Sequence, residues 1–91
     1  MIVARRLVIT GRVQGVGFRY FAEAIAHREG LTGYARNRPD GTLESAIEGE
    51  AESVERFEVA MRRGPAGARV ESVEVEAIAP TGRHTGFRIL A

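Results

Sequence analysis

The sequence predicts an α+β sandwich in which two amphipathic helices cover one face of an antiparallel sheet. Two observations carry this. The apolar residues change period along the chain, from two to about 3.6 and back, and they do so twice. Glycine and proline fall at most of the changes. The 91 residues, 44% of them hydrophobic and 27% charged, suit a single domain over residues 1–91 rather than a disordered chain.

Residues 4–13 read as a first strand. Leu7, Ile9 and Val13 fall on one face, and Arg6, Val8, Thr10 and Arg12 on the other. Gln14-Gly15-Val16-Gly17 then breaks the alternation. From Phe18 the spacing of Phe18, Phe21, Ala22 and Ile25 marks a helix, which ends near Glu29 with Gly30 placed to terminate it. Thr32 to Arg36 and Thr42 to Glu48 form a hairpin around the turn Asn37-Arg38-Pro39-Asp40-Gly41. On its second strand Leu43, Ser45 and Ile47 alternate with Glu44, Ala46 and Glu48. A second helix runs from about Ala51 to Arg63 and buries Val54, Phe57 and Met61; Gly64-Pro65 stops it. Residues 68–79 give a fourth strand. After the loop Pro80-Thr81-Gly82, the segment Gly86 to Leu90 adds a short C-terminal strand. The order β-α-β-β-α-β describes a ferredoxin-like two-layer sandwich. That topology hosts many unrelated functions, so activity has to be read from particular residues.

Composition removes several chemistries. There is no cysteine, hence no disulfide, thiolate nucleophile or cysteine-ligated metal. All 13 basic residues are arginine, which excludes lysine Schiff bases and the P-loop lysine. No His/Asp/Glu cluster has metal-ligand spacing. A net charge of +1 gives no strong global field for nucleic acid or an anionic membrane. No apolar run approaches the length of a membrane span, and no signal-peptide core follows the N-terminus, so the expected location is cytoplasmic.

The segment Gly11-Arg12-Val13-Gln14-Gly15-Val16-Gly17-Phe18-Arg19 is the most informative. It joins a strand to a helix N-terminus, where backbone N–H groups lack intrahelical partners and the dipole is positive. Glycines let such a backbone curl into an anion nest, with phosphate as its natural guest. Arg19, in the first turn, adds a guanidinium suited to bidentate phosphate contact. The other reading of the same residues is a tight connection with a surface arginine. Asn37 likewise reads either as a functional amide or as a turn residue bonding its own backbone, and Gln14 either as a ligand contact or as a loop amide. Tyr20 and Tyr34 read as packing residues, and His27 and His84 as surface or structural ones. Arg36 and Arg38 read as solvated, and the glutamates of the third and fourth strands as exposed faces.

The first stretch resembles the acylphosphatase signature G-x-V-Q-G-V-x-F/Y-R. A second, Gly33-Tyr34-Ala35-Arg36-Asn37-Arg38-Pro39-Asp40-Gly41-Thr42-Leu43 followed by Gly49, resembles that family's G-Y-x-x-N-x-x-x-G-x-V-x-x-x-x-x-G, with Leu43 where valine is usual. The resemblance covers the whole chain. It implies hydrolysis of an acyl phosphate to a carboxylate and inorganic phosphate, with no metal and no organic cofactor, by a protein expected to be a monomer. It carries the catalytic roles onto Arg19, which would clamp the phosphoryl oxygens, and Asn37, which would orient the attacking water. Gln14, Gly15, Val16, Gly17, Phe18 and Arg19 are then the expected substrate-binding residues.

Two other classes share this element order. RNA-recognition domains stack bases on aromatics of the third strand. Here that strand carries no aromatic and two carboxylates. A non-catalytic regulatory domain that binds an anion or small ligand is the second. Acylphosphatase-like domains also open larger hydrogenase-maturation proteins, whereas a chain with no partner module is expected to be a free-standing enzyme.

Overall fold

The alternation through Leu7 and Ile9 builds β1 (Ile2–Arg12), and the change of period at Phe18 starts α1 (Phe18–Glu29). The hairpin is β2 (Thr32–Asn37) and β3 (Leu43–Glu50); then come α2 (Ala51–Arg63), β4 (Arg69–Ile78) and β5 (Phe87–Leu90). This is a computed structural model, and it describes residues 1–91. Element boundaries fall within two residues of those the sequence predicts.

The strands form one sheet in the order β4-β1-β3-β2-β5. β1 pairs antiparallel with β3 and β4, and β2 antiparallel with β3. The fifth strand departs from the all-antiparallel expectation, because β5 lies parallel to β2, with Gly33 opposite Phe87 and Arg36 opposite Leu90. The cause is topological. β4 and β5 occupy opposite edges, so residues 79–86 cross the sheet instead of turning back, and β5 starts at the end where β4 stops.

Both helices lie over the face that carries Leu7, Ile9, Leu43 and Ile47. Their buried stripes, led by Phe18 and Ile25 in α1 and by Phe57 and Met61 in α2, close one core against it. Gly30 ends α1 in the left-handed region (φ 69°), as the sequence predicts.

The other face is not simply solvated. Glu44 and Glu48 of β3, expected to be exposed, are only 6% and 9% exposed. Glu44 is covered by its β2 neighbours: the Tyr34 hydroxyl donates to it at 2.7 Å and Arg36 Nε at 2.9 Å. Arg36 is exposed, as expected, and is also ion-paired to Glu44. Glu48 lies under the crossing segment and accepts the backbone N–H groups of Thr81 (2.9 Å) and Gly82 (2.8 Å). These contacts hold both carboxyls below the usual glutamate range, for Glu44 against the opposing effect of its own burial. Burial and the adjacent Glu44 push the Tyr34 phenol upward. The glutamates of β4 are exposed, as expected.

Candidate active site

β1, β2 and β5 run in one direction, since β1 and β2 both flank β3 and β5 follows β2. Their C-terminal ends therefore meet at one rim of the sheet. β1 delivers the glycine loop there, β2 delivers Asn37, and β5 delivers the carbonyl of Leu90. Near this rim a bulge between Thr10 and Gly11 shifts β1 against β4 just before the loop.

The loop turns through two glycines in the left-handed region, Gly15 at φ 74° and Gly17 at φ 76°. A side chain there would strain the backbone. Gly17 is the residue before α1, and no side chain caps the helix. The first helical bond runs from the Phe21 N–H to the Gly17 carbonyl at 3.0 Å. The amides of Phe18, Arg19 and Tyr20 thus have no intrahelical acceptor, and the positive end of the dipole is bare.

A pocket of about 100 Å³ opens beside them, lined by Val13, Gly15, Gly17, Phe18, Arg19, Tyr20 and Asn37. That exceeds the roughly 10–15 Å³ a cavity needs to hold one water. Arg19 Nη1 donates to the Leu90 carbonyl at 2.9 Å. No carboxylate pairs with Arg19, although six ion pairs form elsewhere. One donor of the fork is anchored on a neutral acceptor, so the charge is left uncompensated. Asn37 Oδ1 is buried and accepts no hydrogen bond. No carboxylate lines the pocket, and no cluster of His, Asp or Glu able to hold a metal occurs in the protein. The arrangement is a small electropositive pocket with a neutral amide beside it.

Arg19, Asn37, Gly15, Gly17 and Phe18 come together as expected. Gln14 and Val16 do not line the pocket: Gln14 turns its amide to the β2–β3 turn, and Val16 packs against the core. Tyr34 lies on the opposite face of the sheet, bonded to Glu44. Tyr20 is a correction, being 65% exposed on the pocket wall instead of packed. It sits off the apolar stripe of Phe18, Phe21, Ala22 and Ile25, and that offset was the available signal. Leu90 was missed because it acts through its main chain, which leaves no trace in residue type.

The acylphosphatase family profile matches residues 5–89. The chain belongs to the acylphosphatase family. An acylphosphatase of Azorhizobium caulinodans is 50% identical over 88 residues, covering 93% of this chain and 91% of the relative. The crystal structure of acylphosphatase from Bacillus subtilis superposes with a TM-score of 0.94 at 34% identity, over the full length of both chains. Full-length HypF in its phosphate- and nucleotide-bound form matches at 32% identity and a TM-score of 0.91, over all of this chain but 12% of that one. As an acylphosphatase, the chain is an enzyme that acts on small acyl phosphates. No helix is long and apolar enough to cross a membrane.

Proposed function

We propose that the chain hydrolyses acyl phosphates with Arg19 and the backbone amides of residues 15–19 holding the phosphoryl group, and with Asn37 orienting the attacking water. The observation that carries this reading is the junction of an uncompensated guanidinium, a bare helix N-terminus and the Asn37 amide in one small pocket.

Water oxygen attacks phosphorus in line with the anhydride oxygen. The P–O bond to the acyl group breaks, and the carboxylate leaves with the electron pair. Carboxylate is a good leaving group, so no strong general acid is required. The remaining tasks are positioning and charge balance. A neutral amide is not a base at pH 7, so the water proton passes to a phosphoryl oxygen, and the products are carboxylate and inorganic phosphate. An unpaired buried acceptor costs about 1–3 kcal/mol, and a water bound beside Asn37 offers it a donor. The same reading takes residues 1–91 as one domain acting as a cytoplasmic monomer, without metal, cofactor or nucleic acid.

The test is phosphate release from a small synthetic acyl phosphate in excess EDTA, with Arg19→Ala in parallel. The parent should turn over many times. The variant should lose at least roughly 10²–10³-fold, the usual loss for one preorganised donor. A folded parent that binds phosphate without turnover would instead be a ligand-binding domain.

A further inference from the structure

Gln14 directly precedes Gly15, yet its side chain leaves the pocket. Its Nε2 donates to the carbonyl of Arg38 at 2.8 Å and to the carbonyl of Thr42 at 3.0 Å. Those two residues close the β2–β3 turn: the Arg38 N–H bonds the Thr42 carbonyl at 2.9 Å, and the Gly41 N–H bonds the Arg38 carbonyl at 3.0 Å. Asp40 Oδ1 tightens it from within, accepting the Thr42 N–H (3.0 Å) and hydroxyl (2.6 Å). The turn is a rigid block, and Asn37 is the residue immediately before it.

The two donors of one neutral amide therefore span a gap that no other hydrogen bond bridges, between the phosphate loop and the block that carries Asn37. A glutamine head suits this place because it offers two N–H groups without a charge. We infer that Gln14 is a positioning residue: it fixes Asn37 relative to the phosphoryl group held by the loop. It acts through the turn and does not touch the substrate. The inference rests on the water-orienting role of Asn37, and a displacement of about 1 Å in such a group can cost roughly 10²-fold in rate.

The test is a double-mutant cycle of Gln14→Met and Asn37→Ala, read in kcat and in the inhibition constant of inorganic phosphate. Gln14→Met keeps the side-chain length and removes both donors. Its kcat should fall about 10–100-fold while phosphate inhibition stays within about twofold. In the Asn37→Ala background it should lower kcat by less than about twofold further, because coupled residues are non-additive. A full additional loss in that background, or phosphate inhibition weakened in step with kcat, overturns the inference and leaves the Asn37 reading standing. Parent-like kcat in Asn37→Ala alone sinks the water-orienting role itself, and the coupling with it.

Gln14→Glu keeps the test open should Gln14→Met fail to fold. Its ionised carboxyl has no donor and faces two carbonyl oxygens, whereas its protonated form donates once. The kcat of Gln14→Glu relative to the parent should rise as pH falls from 8 to 5, and a flat ratio refutes the role.

Discussion

Replacing Glu48 with glutamine keeps the side chain's length and removes its charge. In the parent, both carboxylate oxygens accept backbone N–H groups of the segment that crosses the sheet, from Thr81 at 2.9 Å and Gly82 at 2.8 Å. Hydrogen bonds to a charged group contribute about 1.5–3 kcal/mol each. Glutamine keeps one acceptor and turns an NH₂ toward the other N–H. That loses one bond and weakens the second, while water reaches the freed amide because Thr81 and Gly82 are exposed. The low end applies, about 1.5–2 kcal/mol. For a domain of this size the total stability is about 5–14 kcal/mol, and the loss should lower Tm by about 6–16 °C. The pH dependence follows from the sign of the shift. The Thr81 amide, with help from Gly82 and His84, lowers the Glu48 pKa below its ordinary 4.5. Its contribution is thus complete above the unfolded value and disappears as pH falls through the folded one. Thermal melts of parent and Glu48→Gln from pH 7 to pH 3 should show a gap that is constant near neutrality and narrows below about pH 4.5. Equal melting temperatures at pH 7, or a gap that acid leaves unchanged, would refute the argument that the charge of Glu48 fastens this segment.

Asn37→Ala should reduce kcat by about 10²-fold or more with little change in KM; a raised KM with kcat intact, in steady-state assays, contradicts its role. Deleting residues 90–91 removes the carbonyl that anchors Arg19 and should lower kcat/KM about 10–100-fold, measured on protein whose fold is verified by circular dichroism. Phe57 is 0% exposed in the core, so Phe57→Ala should destabilise by about 3–5 kcal/mol in urea titration. A change under about 1 kcal/mol would mean that α2 repacks freely.

What the sequence disclosed follows from how local each signal is. The switch of period at Phe18, the glycines of the loop and the Asn37 turn are written in neighbouring residues, and all three survive in the structure. Asn37 lines the same pocket as the glycine loop because β1 and β2 end at the same rim, which no local pattern records. The burial of Glu44 and Glu48 was not legible, since alternation shows that a strand has two faces but not what covers the second. Here Tyr34, Arg36 and a segment more than thirty residues downstream of Glu48 do so. The parallel pairing of β5 is likewise a tertiary outcome, because a four-residue strand carries no mark of its partner.

The bond from Arg19 to the Leu90 carbonyl spans 71 positions of chain. A ribosome adds about 5–20 residues per second, so the arginine is made several seconds before the group that seats it. Most of α1 and all of β2, β3, α2 and β4 are synthesised in that interval. Phe87 of β5 belongs to the buried core, so the core too stays incomplete until the final strand is made. One four-residue strand thus completes both the packing of the core and the seat of the guanidinium, and the two arrive together at the end of synthesis.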